Sequence, residues 1–290
     1  MAEGFNIGTL NVRGAIKHNE LRKKIISCVK LYDLNILMIQ ETTVNNLRIK
    51  YDIDRIFDCQ SFWSFGSNDS RGVAILVMNN FEYKINKFEN DNEGRLVKVE
   101  ISSNSGDLNI VSVYAPNDGA TRKTFFRNID NFIIGRSPTI IGGDFNCVEN
   151  LKLDKIGGNP SNGTAGSVQL NSIKQSYNLI DPFRTLYKKE CSYTWSSEST
   201  GIKTRLDRYY IDKSLIGNVT KVHNINPNVS DHKGVIMNFD ETPHSKFNIG
   251  KGIWKFNDNL LKNENFIKEI EQNWLSKSEN TVKMELGGII

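Results

Sequence analysis

A chain of 290 residues, 38% hydrophobic and 24% charged, has the composition of a globular protein and the length of one large α/β domain with an appendage. No apolar run reaches about eighteen residues, so no membrane span is expected, and the N-terminal Met-Ala-Glu-Gly-Phe-Asn lacks the charged and apolar regions of a signal peptide. A net charge of +4 suits a polyanionic partner without requiring one, and Cys28, Cys59, Cys147 and Cys191 show no metal-binding spacing, which predicts reduced thiols, no disulfides and an intracellular setting.

Residues 5–12 alternate as a strand. Residues 19–32 carry Leu21, Ile25, Val29 and Tyr32 on one helical face. The apolar run 35–40 predicts a buried strand that delivers Glu41 at its end. Strands are expected at 72–78, 95–101 and 108–114, the last stopping at Ala115-Pro116-Asn117. Residues 120–134 have helical spacing, 139–142 form a short buried strand leading into Asp144, and 161–166 read as a flexible loop. A helix at 167–177 and strands at 205–212 and 233–239 complete the pattern. Many strands with few helices between them predict two packed sheets with helices outside. After residue 240 the pattern becomes a linker, followed by an amphipathic helix at 258–275 that carries Leu260, Leu261, Phe266, Ile267 and Ile270.

Five strand ends carry polar or acidic residues. They are Thr9-Leu10-Asn11, Ile39-Gln40-Glu41, Gly142-Gly143-Asp144-Phe145-Asn146, Arg205-Leu206-Asp207 and Ser230-Asp231-His232. Such residues suit hydrolysis of a phosphodiester, an anion that repels hydroxide. Mg²⁺, or Mn²⁺ in its place, neutralises that charge and is held by one or two carboxylates. Glu41 is the first candidate ligand, with Asn11 beside it and Asp231 as a second carboxylate. Asp144 is the candidate base for the attacking water. Asn146 is expected on the same side of an extended segment, within reach of water or phosphate. His232, paired with Asp207, is expected to be held in one tautomer and to donate to a phosphoryl oxygen.

In this order the motifs resemble the endonuclease/exonuclease/phosphatase superfamily. The stretches 178–184, Tyr193-Thr194-Trp195-Ser196 and 204–211 are similar to the endonuclease domain of LINE-type non-LTR retrotransposons, a relative of apurinic/apyrimidinic endonucleases. The resemblance covers about residues 5–240. It implies a DNase I-like fold, a four-layer α/β sandwich of two mixed β-sheets flanked by helices, with an endonuclease domain over 1–240. Residues 241–290 would be a linker and the start of the next polyprotein region, ahead of a reverse transcriptase. Residues 250–261, with Trp254, resemble the segment in that position.

The implied activity is a metal-dependent nick in double-stranded DNA, made in the nucleus after synthesis in the cytoplasm, that leaves a 3′-hydroxyl primer for target-primed reverse transcription. The resemblance adds Tyr114 as a phosphate donor and Thr194 near the scissile phosphate. Arg13 stands where repair enzymes carry an acidic residue, which favours a phosphate contact over a second metal ligand. Arg71, Arg122, Lys123, Arg205 and Arg208 are candidate backbone contacts, Arg205 first among them. The alternatives are an abasic-site repair endonuclease, a phosphodiesterase of lipid or inositol phosphates, and a degenerate copy kept as a nucleic-acid-binding module.

Overall fold

The protein is described from a computed structural model, over residues 4–240 without 68, 69, 104, 105, 136 and 160–162, and additionally at 267–268. The chain divides into two units, Met1–Phe247 and Asn248–Ile290, and nearly all described residues fall in the first. The expected linker after 240 and the helix at 258–275 lie outside the described residues, apart from the helical pair 267–268.

In chain order the elements are β1 (Phe5–Asn11), α1 (Asn19–Leu31), β2 (Ile36–Gln40), α2 (Leu47–Phe57), β3 (Cys59–Ser64), β4 (Val73–Met78), β5 (Tyr83–Asn90), β6 (Leu96–Ser103) and β7 (Gly106–Tyr114). They continue with α3 (Gly119–Arg127), α4 (Asp130–Ile133), β8 (Thr139–Asp144), β9 (Lys155–Ile156), α5 (Ser167–Ser176), β10 (Leu179–Ile180) and α6 (Pro182–Leu186). The last are β11 (Trp195–Ser196), β12 (Lys203–Thr204), β13 (Asp207–Asp212), β14 (Val219–Ile225) and β15 (Gly234–Phe239).

Two six-stranded sheets result, ordered β14-β15-β1-β2-β4-β3 and β10-β13-β8-β7-β6-β5, with a small sheet β11-β12-β9 beside them. Each large sheet is antiparallel except for one central parallel pair, β1 with β2 and β7 with β8. The apolar runs of β2 and β4 are buried along their whole length because both faces are covered. One face meets the other sheet, through Ile36, Met38, Ile75, Val97, Ile110, Ile140 and Tyr209. The other face meets α1 and α2, through Ile25, Val29, Leu37, Ile39, Ile53 and Phe57. The second sheet has its own outer core against α3, α4 and α5, built on Phe126, Ile141, Phe145, Leu170 and Tyr210. The architecture is therefore the expected four-layer α/β sandwich.

The two sheets meet at Gly142, where a Cβ would lie 2.7 Å from Met38 Sδ of the other sheet and from the Tyr209 ring of its own. Tyr209 then reaches across, its hydroxyl 3.0 Å from the carbonyls of both Ile7 and Val235. The next residue, Gly143, has φ +144 and its Cβ would meet Val113 O at 2.0 Å, so only glycine serves there. These contacts fix the height at which β8 delivers Asp144.

Several elements differ from the sequence reading. The helix expected over 120–134 breaks at Asn128 into α3 and α4. The strand expected from 205 starts at Asp207. Elements α2, α6, β3, β5 and β14 were not anticipated. Part of the 161–166 loop is tied down, since Val148 N–H donates to Gly163 O at 2.8 Å and Arg122 Nε to Ala165 O at 2.7 Å.

Candidate active site

Strand direction gathers the site. The parallel pairs present the C-terminal ends of β1, β2, β7 and β8 at one end of the sandwich. The antiparallel neighbours β13 and β15 present their N-terminal ends at the same place, with Asp207 paired to Asp144 and Val235 to Thr9. Asn11, Glu41, Tyr114, Asp144, Asp207, Asp231 and His232 converge for that reason, although the chain separates Asn11 from His232 by most of its length.

Asn11 is fully buried, and its amide donates to Glu41 Oε1 at 2.7 Å and Asp144 Oδ2 at 2.9 Å. The amide nitrogen must face this way, because an oxygen would confront two carboxylates. Its Oδ1 accepts the Arg13 N–H at 3.1 Å. Asn11 thus orients Glu41 and Asp144. Ser230 Oγ donates to Asn11 O at 2.7 Å and accepts the His232 N–H at 3.1 Å, which ties the His232 loop to β1.

His232 Nδ1 lies 2.8 Å from Asp207 Oδ2, and its Nε2 lies 4.0 Å from Asp144 Oδ2, beyond hydrogen-bond range. Burial works against an imidazolium here. The charge and hydrogen bond of Asp207, with the charges of Asp144 and Asp231, outweigh it and raise His232 to about 10. Nδ1 is therefore the donor to Asp207. Asp144 is 1% exposed. Burial and then the Asp207 charge raise it to about 6, against the opposing pull of His232, the Asn146 N–H and Asn11.

Asp144, Asp207 and Tyr114 stand behind a pocket of about 490 Å³ whose lining includes Arg13, Glu41, Asn146, Trp195, Asp231 and His232. Tyr114 is buried, with Arg95 5.3 Å from its ring, and burial followed by the Glu41 and Asp144 charges keeps the phenol protonated by raising its pKa. Asn146 departs from the extended geometry expected of it. Its φ is +47, its N–H donates to Asp144 Oδ1 at 2.8 Å and its Nδ2 to Ala115 O at 2.9 Å. The turn still brings it to the pocket wall.

Two residues expected at phosphate lie elsewhere. Thr194 is 1% exposed and its Oγ1 accepts the N–H groups of Leu206 and Asp207, both at 3.0 Å. It positions Asp207 and presents no face to a ligand. Arg205 is 3% exposed, with Nε on Asp154 Oδ1 at 2.8 Å and Nη2 on Asp181 Oδ2 at 2.6 Å, so its guanidinium is a structural cross-link. Arg208 is likewise buried on the carbonyls of Cys147 and Arg205. Arg122 is buried on the carbonyls of Pro116, Asn117 and Ala165, although it also borders the pocket. Arg13, Arg71 and Lys123 remain exposed.

The donor set fits a divalent metal. The network from Glu41 through Asn11, Asp144, His232, Asp207, Asp231 and Arg13 contains four carboxylates and two cations, and a divalent ion would offset the difference. Glu41 lines the pocket, half-buried, and is the residue placed to hold it. Asp231, expected to share that role, has Oδ2 occupied by Arg13 Nη1 at 2.7 Å and Trp195 Nε1 at 2.8 Å, while Oδ1 is buried without a partner among the described residues. The triad Asp144, Asp207 and His232 also lies within metal-ligand spacing, but the Asp207 bond to Nδ1 already engages it. Trp195 was a site contributor missed from sequence, and its place in the Tyr193–Ser196 motif was the available signal.

The fold is similar to that of AP endonucleases of known structure. The enzyme from Leishmania major superposes with a TM-score of 0.67 at 19% identity, covering 82% of this chain and 88% of that one. The enzyme from Archaeoglobus fulgidus gives 0.66 at 20%, covering 81% and 99%. The chain belongs to the Endonuclease/Exonuclease/phosphatase family, whose model matches residues 8–232. Among curated relatives, the Transposon TX1 uncharacterized 149 kDa protein of Xenopus laevis is 25% identical over 280 residues, 93% of this chain. The chain spans only 20% of that protein's length. The DNA repair nuclease APEX1 of Danio rerio is 26% identical over 220 residues, 68% of this chain and 70% of its own length. All four cysteines are free thiols, and no helix among the described residues is long and apolar enough to cross a membrane.

Proposed function

We propose that this chain is a divalent-metal-dependent endonuclease that nicks double-stranded DNA and leaves a 3′-hydroxyl primer for target-primed reverse transcription of a LINE-type non-LTR retrotransposon. The observation that carries the chemistry is the buried Asp144–His232–Asp207 arrangement beside Glu41. A Mg²⁺ or Mn²⁺ ion on Glu41 would supply neutralisation of phosphate charge. Asp144, once ionised, accepts a proton from the attacking water. His232, held protonated by Asp207, donates to a phosphoryl oxygen as negative charge develops there. Asn11 holds Asp144 in register with Glu41, Asn146 steadies Asp144 through its backbone N–H, and Tyr114 keeps a proton to donate.

The retrotransposon assignment is supported by the extent of likeness. The transposon relative aligns with 93% of the chain, whereas the repair nuclease aligns with 68%. On this reading residues 1–240 form the nuclease, 241–290 lead into a reverse transcriptase of the same polyprotein, and the target is chromosomal DNA in the nucleus. The abasic-repair reading is supported by the AP endonuclease relatives, and one assay separates the two. A duplex with a single tetrahydrofuran abasic analogue is expected to be cut no faster there than an intact duplex at its preferred steps, with Mg²⁺ required and EDTA abolishing cleavage. Strong preference for the abasic position would assign the chain to repair instead. Release of phosphate from water-soluble inositol phosphates would point to the phosphatase branch.

A further inference from the structure

Arg13 is held in place by the site itself. Its backbone is left-handed at φ +40, unusual for a side-chain-bearing residue. Its N–H donates to Asn11 Oδ1, and the next residue, Gly14, donates its N–H to Glu41 O at 2.7 Å. The loop is therefore anchored to the two residues that flank the metal position. From there the guanidinium reaches Asp231 Oδ2 at 2.7 Å, and Trp195 Nε1 fills the other side of the same oxygen at 2.8 Å. A carboxylate oxygen with two donors has little capacity left for a metal. The other oxygen, Oδ1, is sealed from solvent. Side-chain exposures of 56% for Arg13 and 30% for Asp231 mark a partly hydrated ion pair of small value to stability, so a purely structural purpose explains the strained loop poorly.

We propose that Arg13 is a built-in cation that occupies Asp231 and restricts the pocket to a single divalent ion, held by Glu41. This rests on the endonuclease reading and specifies its metal requirement. The guanidinium serves permanently where a second ion would otherwise bind, without the need to recruit one from solution.

The test is Mn²⁺ binding to the full chain without DNA, followed by isothermal titration and by the Mn²⁺ electron paramagnetic resonance signal. The wild-type chain is expected to take up one ion. Glu41→Gln removes it, and Asp231→Asn leaves it in place. Arg13→Ala frees Asp231 Oδ2, so that variant gains a second ion. Adding Asp231→Asn to Arg13→Ala abolishes the gain, which a merely structural role for Arg13 would not produce. Circular dichroism establishes that each variant is folded, and Arg13→Gln replaces the alanine variant if that one is not. A folded Arg13 variant with wild-type stoichiometry overturns the proposal, as does loss of wild-type Mn²⁺ binding on Asp231→Asn. Plasmid nicking keeps the two claims apart. Either of those results in a chain that nicks DNA refutes only the Arg13 role, whereas the expected Mn²⁺ behaviour in a chain that cuts no DNA refutes the endonuclease reading.

Discussion

Asp144 and Asp154 are equally hidden, each 1% exposed, yet their carboxyls are displaced in opposite directions. Asp154 resists its burial because Arg205 and Arg208 act on its charge and Arg205 and Arg184 hydrogen-bond to it, which holds it at about 2. Its Oδ1 accepts Arg205 and Arg184 and its Oδ2 accepts the Asn150 N–H. Asp144 has two neutral amide donors, a nearby like charge and an imidazolium beyond hydrogen-bond reach, and it rises to about 6. The two clusters meet within three residues, since Arg205 belongs to one and Asp207 to the other. Burial sets the penalty for charge, and the partners decide whether that penalty is cancelled. The cancelled cluster is a cross-link among the loops around β12 and α6. The uncancelled one is poised for proton transfer.

If the clusters differ in this way, they should fail differently. Asp144→Asn should lower the nicking rate by about 10²–10⁴-fold, the usual worth of an acid–base group. It should melt no lower than the wild type at pH 7, because it removes a charge that the fold disfavours. A folded variant with near wild-type rate would show that Asp144 is not the base. Arg205→Met should do the reverse. It strands Asp154 and Asp181 without their shared cation and should cost about 3–5 kcal/mol in urea unfolding. An unaltered unfolding midpoint would mean that the cross-link contributes nothing.

The pH dependence sharpens the contrast. Nicking should rise as Asp144 ionises near pH 6 and fall as His232 deprotonates near pH 10. Asp207→Asn removes a charge that raises both groups, so both limbs of the rate profile should move to lower pH. A profile whose limbs stay in place would separate Asp207 from the proton chemistry. Stability follows the opposite signs of the two aspartates. Asp154, lowered from 3.8, contributes stability that is present above about pH 4 and lost as pH falls through about 2. Asp144, raised from 3.8, destabilises the fold as pH climbs through about 6. Urea unfolding of Asp154→Asn and Asp144→Asn across pH 2–7 reads both contributions. The smallest effect is expected from truncation after residue 240, which removes no member of either cluster and should leave the melting temperature and nicking rate essentially unchanged.

The chemical cluster was the more legible of the two in sequence. Asn11, Glu41 and Asp144 sit where an apolar run stops and Asp207 and His232 where one is about to start, and strands whose ends lie together place such residues together. The structural cluster has no comparable signal. Asp154 lies in a loop, Asp181 caps α6 through the Arg184 N–H, and neither shows a period that links it to Arg205. Arg205 and Thr194 read as phosphate contacts because they lie in motifs that resemble the retrotransposon endonucleases, but both sit outside the strands, Arg205 engaged by Asp154 and Asp181 and Thr194 by the N–H groups of Leu206 and Asp207. Trp195 was present in a recognised motif, but its bond to Asp231 depends on β11 folding back toward the His232 loop, which nothing local encodes. Among the elements, α2 was missed because its apolar residues are not confined to one face: Ile53 and Phe57 are buried, while Leu47, Tyr51 and Ile56 are exposed. The edge strand β5 was missed because a register shift between Ile85 and Lys87 breaks the alternation that Tyr83 and Ile85 begin.

The central claim is that the Asp144–His232–Asp207 cluster cuts DNA to leave an extendable end. Supercoiled plasmid incubated with the protein and Mg²⁺, then supplied with a DNA polymerase and labelled nucleotide, tests it in a single reaction series. The account predicts conversion to open circle, label incorporated from the nick without prior end repair, and neither product with EDTA or with Asp144→Asn. Open circles that accept label only after phosphatase treatment, or equal nicking by wild type and Asp144→Asn, would contradict it.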